Sequence, residues 1–190
     1  MNASRVKRTA RVVVFALAVL VAATLVGLVI ACGVERWSVK VGTDPDAWQV
    51  DPTNPVWTSV SEMNTFPRPS TIPASRRADS VEMTTWVVYA TLTQYRRDPD
   101  GDYHLVLLDD DGSTMIAEIP DPNCAAGSAF FDYIANARAQ FDVAFRVTTT
   151  WHYTSTPVVV TGVGFWNRDH GQTGRAVNVI ELHPVLDIQF

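Results

Sequence analysis

Four histidines and the carboxylates beside them are the residues best equipped for chemistry: His104, His152, His170 and His183. His104 closes the run Asp100-Gly101-Asp102-Tyr103-His104, and His183 follows Glu181 in Ile180-Glu181-Leu182-His183-Pro184. On a β-strand, residues two apart share a face, so Asp102 points with His104 and Glu181 with His183. Histidine with a carboxylate can hold a divalent metal, or move a proton near neutral pH. His104, His170, Glu181 and His183 are therefore the candidate catalytic set, with Asp102 and Gln172 as candidate binding residues. The same pairs have a structural use. A histidine beside a carboxylate is often a buried hydrogen-bonded pair that fixes a loop. Gln172, Thr173 and Asn178 could satisfy the backbone of the loop 167–178. The chain has no H-E-x-x-H spacing and no G-x-S-x-G elbow, so no metal, cofactor or nucleophile is assigned. Asp109-Asp110-Asp111-Gly112 lacks the later glutamate of a calcium loop and reads as a hairpin turn. Trp86 and Trp166 fall in strand-like runs and read as packing rather than as a sugar platform.

These residues need a sheet to place them. Val81 to Tyr95 is rich in β-branched and aromatic residues and predicts a long strand. After the turn at 96–102, Tyr103 to Leu108 predicts a second strand, and Thr114 to Ile119 a third, ended by Pro120 and Pro122. Phe130, Ile134, Ala137, Phe141 and Phe145 then recur every three or four residues, which predicts one helix over Ser128 to Phe145, with Ser128 as its N-cap. Thr148 to Tyr153 reads as a short strand or the limb of a hairpin, Pro157 to Trp166 as a strong strand, and Val179 to Phe190 as the last. Mainly β structure with one helix (α+β) between the third and fourth of five strands is the order of an OB-fold-like barrel, over 81–190. An open α+β sheet is the alternative.

Ahead of that domain, residues 32–80 carry prolines 45, 52, 55, 67, 69 and 73, which rule out long helices. They also carry Trp37, Trp48 and Trp57, whose area is worth burying. The expectation is an extended arm packed on the barrel, with a helical turn near Thr58 to Met63 and a loose, exposed stretch over 67–80.

Val12 to Ala31 is twenty residues without charge or proline, preceded by a basic segment, 1–11, with Arg5, Lys7, Arg8 and Arg11. Such a run spans the hydrocarbon core of a bilayer as a helix, and the positive cluster stays inside. The expected partner is thus the membrane through 12–31, with the domain outside the cytoplasm. A cleaved signal, or a lipoprotein modified at Cys32 in Val29-Ile30-Ala31-Cys32, remains open. Beyond residue 31, eleven of the 15 Lys+Arg face all 20 Asp+Glu, a net charge of −9. That acidity argues against nucleic acid as a partner. Cys32 and Cys124 are the two cysteines, and outside the cytoplasm a disulfide between them would persist. Two unrelated thiols are the alternative.

The chain also resembles a family of uncharacterised exported, membrane-anchored bacterial proteins. The resemblance lies in Cys32-Gly-Val-Glu-Arg-Trp37, Asp100-Gly-Asp-Tyr-His-Leu-Val-Leu107, Thr114-Met-Ile-Ala-Glu-Ile-Pro120, Gly162-Val-Gly-Phe165, His170-Gly-Gln-Thr-Gly174 and Ile180-Glu-Leu-His-Pro-Val-Leu186. It implies a cysteine at the opening and another after the third strand, and it supplies no activity. The functional expectation is an extracytoplasmic binding or structural module, possible partner a protein at the cell surface. The alternative is a metal-dependent hydrolase of phosphodiesters built on the histidine and glutamate cluster.

Overall fold

A computed structural model describes residues 32–190. The expected basic segment and apolar span, 1–31, lie outside the described residues. Among the described residues, no helix is long and apolar enough to cross a membrane.

Six strands form one mixed sheet: β1 (Val56–Thr58), β2 (Thr85–Arg97), β3 (Tyr103–Leu108), β4 (Thr114–Ile119), β5 (His152–Trp166) and β6 (Ile180–Gln189). Their order is β1-β2-β3-β4-β6-β5, and β2 also pairs with β5, so the pairing of β2 to β6 returns on itself. β4 and β6 run parallel and the other joints of that ring are antiparallel. Among the described residues three α-helices accompany the sheet: α1 (Trp37–Val41), α2 (Val60–Met63) and α3 (Phe131–Ala144). The architecture is α+β with β dominant.

Alternation along the strands separates two environments. Tyr103, Leu105 and Leu107 of β3 join Met115, Ala117 and Ile119 of β4, and Leu182 of β6, in the main apolar cluster. The residues between them, His104, Glu118, Glu181 and His183, turn to the opposite face and are nevertheless buried. What covers that face includes α1, whose Lys40 reaches Glu118. Gly42, at φ 71°, ends α1 in a left-handed turn, and a Cβ there would strike the Phe130 ring.

α3 presents Ala137 and Phe141 to the main cluster, and Ile134 to a second cluster with Val41, Phe130 and Leu186. It starts three residues later than expected. Ser128 Oγ accepts from Phe130 N at 2.9 Å and donates to the Val41 carbonyl, which ties the helix entry to α1.

The region 32–80 holds more structure than an arm. β1 adds a sixth strand, parallel to β2 with Trp57 opposite Val87. Ser59 caps α2 by accepting from Glu62 N at 3.0 Å. Residues 67–80 are a mixture of exposed and half-buried positions, and Arg77 is buried, its guanidinium meeting Asp44 at 2.9 Å. The strand expected at 157–166 extends back to His152 as β5, and residues 148–151 of the expected 148–153 segment are not strand. Pro157 is accommodated because β6 pairs only with Val159 onward, so no second strand calls on its missing N–H.

Cys32 and Cys124 form a disulfide across 92 residues, so Cys32 is not a free thiol. Closing a loop of that length restricts the unfolded chain by about 4–5 kcal/mol. Reduction, or Cys124→Ser, is expected to lower stability by most of that amount in urea denaturation of the full chain. A loss under about 1 kcal/mol would contradict it.

Candidate functional site

The strand register builds the site. His104 on β3 lies opposite Glu118 on β4. On β6, Glu181 and Leu182 pair with Ile116 and Ala117, which puts His183 one step on, beside Glu118. The three strands therefore set His104, Glu118 and His183 in a row with the carboxylate in the middle. Glu118 Oε1 is 3.2 Å from His104 Nδ1, and Oε2 is 2.9 Å from His183 Nδ1. At the far side of the second ring, His183 Nε2 is 3.5 Å from Asp102 Oδ2. Asp102 also accepts from Asp121 N at 3.0 Å, so it pins the start of β3. His104 Nε2 donates to the Thr173 carbonyl at 3.0 Å. Asp98, in the turn after β2, brings Oδ2 within 3.5 Å of His104 Nδ1. Glu181 accepts from Asn167 Nδ2 at 2.8 Å.

Burial and charge act against each other throughout. For His104, burial disfavours the charged ring, but Asp98, Glu118 and the Thr173 carbonyl outweigh it and raise its pKa to about 10. His183 follows the same pattern: burial opposes its charge, and Asp102 and Glu118 more than compensate, so its pKa is raised. Glu118 loses solvation too, yet the two rings and Lys40 hold its pKa well below the ordinary carboxylate range. Glu181 has weaker support. Its burial, with the neighbouring Glu118 charge, pushes it up to about 7. Asp100 is raised by burial and by the charges of Asp102 and Glu118. Lys40 is opposed by burial, but Glu118, Glu181, Asp102 and Asp100 raise its pKa. Some buried atoms keep no hydrogen-bond partner, among them Asp102 Oδ2, Glu181 Oε2 and both His183 ring nitrogens. The His183 contacts are thus ionic contacts rather than aligned hydrogen bonds.

A pocket of about 300 Å³ opens onto one end of this row. Its walls are Asp98 and Asp100 from the turn after β2, and Asn167, His170, Gly171, Gln172 and Thr173 from the loop before β6. His104, Glu118, Lys40 and Arg96 also line it. The loop is folded by its own polar groups. Gln172 Nε2 donates to the Arg168 carbonyl at 2.7 Å, and its Oε1 accepts from His170 N at 3.0 Å. Gly174, at φ 80°, lies so close to Val106 that a Cβ would collide with it, which brings the loop down over β3. A larger cavity, about 650 Å³, lies among Arg36, Arg68 and Arg168 and contains none of the histidines.

Of the expected catalytic residues, His104, Glu181 and His183 come together and His170 does not join them. It is exposed, on the pocket wall. Asp102 belongs to the buried row, and Gln172 to the loop. His152 is elsewhere, stacked on Tyr95 with ring centroids 5.0 Å apart. Glu118, Lys40, Asp98 and Asn167 complete the site and were not singled out in the sequence. The cross-strand neighbour of a histidine is far away in sequence, and an i±2 rule cannot reach it. No protein-family model and no curated protein matches the chain.

Proposed function

We propose that residues 32–190 form an OB-type binding module, presented outside the cytoplasm on the apolar segment 12–31, and that the module binds rather than hydrolyses. The strand ring runs β2-β3-β4-β6-β5, with the helix between β4 and β5 and a parallel joint between β4 and β6. An OB-fold uses the loops after its first and fourth strands for ligands. Here those are the turn 98–102 and the loop 167–179, and the 300 Å³ pocket lies between them. The observation that carries the reading is that pocket position together with the burial of Glu181 and His183 outside its lining. Two members of the hydrolytic set therefore face protein, not substrate. The lining sets the carboxylates Asp98, Asp100 and Glu118 against the cations Lys40, Arg96 and His104, so it suits a polar ligand of mixed character, and the net charge of −9 disfavours a polyanion. The exported character rests on residues 12–31, on the basic cluster ahead of them, and on the resemblance to exported proteins.

Two measurements test this. In intact cells, the full chain carrying a photo-crosslinker at the exposed position 170 is expected to give an adduct that Gln172→Trp removes by filling the pocket. Purified full-length protein is expected to turn over no activated phosphodiester above background, with or without divalent metal. Metal-dependent turnover that disappears in His183→Gln would replace the binding reading with the hydrolase.

A further inference from the structure

We propose that Asp98, His104 and Glu118 form a zinc-type divalent-metal site at the floor of the 300 Å³ pocket. The inference goes beyond the binding-module reading and stands on the geometry of three side chains. Asp98 Oδ2 and Glu118 Oε1 lie 3.5 and 3.2 Å from one atom, His104 Nδ1. A ring N–H points along one line and serves one acceptor well. Charge-assisted N–H···O contacts are about 2.7–2.9 Å long. Within the same cluster, Arg96 Nε meets Asp98 Oδ1 at 2.6 Å. The two contacts at Nδ1 are longer than that, although Glu118 Oε1 is still within hydrogen-bond reach. They have the spacing of ligands around a shared centre, since a tetrahedral ion with bonds of about 2.0–2.2 Å sets its ligand atoms about 3.3–3.5 Å apart.

The surroundings are those of a ligand set. A metal-binding histidine commonly donates its other ring N–H to a carbonyl, which aims the free nitrogen at the ion. His104 Nε2 has such a partner in the Thr173 carbonyl at 3.0 Å. Each carboxylate has its second oxygen in ionic contact with a cation: Asp98 Oδ1 with Arg96, Glu118 Oε2 with His183 and, at 3.9 Å, with Lys40. The three ligands come from the turn after β2, from β3 and from β4, and their donor atoms all lie within 4.8 Å of one another. All three line the pocket, which leaves a fourth position facing solvent. Two fully buried carboxylates on the same face, Asp102 and Glu181, keep an oxygen without a hydrogen-bond partner.

The test uses the full-length chain in detergent, stripped with a chelator and then titrated with Zn²⁺ by calorimetry and with Co²⁺ by visible absorption. One ion per chain is expected, with the d–d bands of tetrahedral Co²⁺. Asp98→Asn, in a surface turn, and His104→Gln should each weaken Zn²⁺ at least about ten-fold. Asp111→Asn, on the exposed hairpin, should bind like the parent. Near-UV circular dichroism establishes that each protein is folded. A folded parent that takes up no stoichiometric zinc overturns the site, and so does an Asp98→Asn protein of unchanged affinity.

Discussion

Glu82→Ala should cost about 3–5 kcal/mol, a large part of the stability of a domain this size. Glu82 is fully buried in the short turn ahead of β2. Its Oε1 accepts from Arg36 Nη1 at 2.5 Å and from Trp166 N at 2.8 Å. Its Oε2 accepts from Arg36 Nη2 at 2.8 Å and from Ala78 N at 2.6 Å. Arg36 in turn spends its remaining donors on the carbonyls of Pro73, Trp166 and Arg76, each at 2.9 Å. Truncating the glutamate strands a buried guanidinium and two backbone N–H groups together, and nothing nearby can replace four acceptor contacts. The comparison that isolates this cause is Arg76→Ala. The Arg76 side chain is 61% exposed and makes one ion pair, with Asp46 at 2.7 Å, so its loss should cost under about 1 kcal/mol. Urea denaturation of the oxidised full chain measures both. A Glu82→Ala protein within about 1 kcal/mol of the parent would mean that the arm is held by something else.

In chelator-treated protein, stability should peak at mildly acidic pH and decline above it. The folded pKa of His104 is raised from 6.5 to about 10. Its stabilisation is fully present below pH 6.5 and is lost as the pH climbs toward 10. His183 is raised as well and acts in the same direction. Glu181 is raised from 4.5 to about 7, so its contribution fades across that interval as the buried carboxyl is forced to ionise. Glu118 is lowered, and it has the opposite sign: its stabilisation is present above pH 4.5 and disappears on acidification. The four together put the maximum near pH 4.5–5, where Glu118 is largely ionised in both states and Glu181 has only begun to oppose folding. Stability falls from there to pH 9.5, with His104 the largest contributor of the two groups whose shifts are sized. His104→Gln should flatten the alkaline limb. Midpoints of urea denaturation from pH 4.5 to 9.5 give the profile, and a maximum above pH 8 would refute this assignment of charges.

Much of the fold was readable because local pattern and global environment agree. β3 and β4 occupy the residues expected of them, since each is a short apolar run closed by turn residues on both sides. The long helix follows from its three-four spacing, and only its start differs, because Ser128 is engaged with Val41. β1 was not readable. Three residues behind Pro55 carry no period, and their partner, Trp86 to Val88, is about thirty residues away. The site divides the same way. Asp102 with His104, and Glu181 with His183, follow from alternation along one strand. Glu118 does not, because its place between the two rings depends on an antiparallel register with β3 and a parallel one with β6. Lys40 was hidden for a further reason: its helix has five residues, and only the folding of α1 over the sheet brings an amine to the carboxylates.

The cross-link at residue 32 also decides where a tug on the chain would go. Tension entering from the amino-terminal side meets Cys32 before any other described residue and passes through sulfur directly to residue 124. The ninety-odd residues between, with four of the six strands, carry none of it. While the bond is oxidised, only the helix and the last two strands can be drawn out, so the half of the molecule that contributes Asp98, His104 and Glu118 is mechanically shielded.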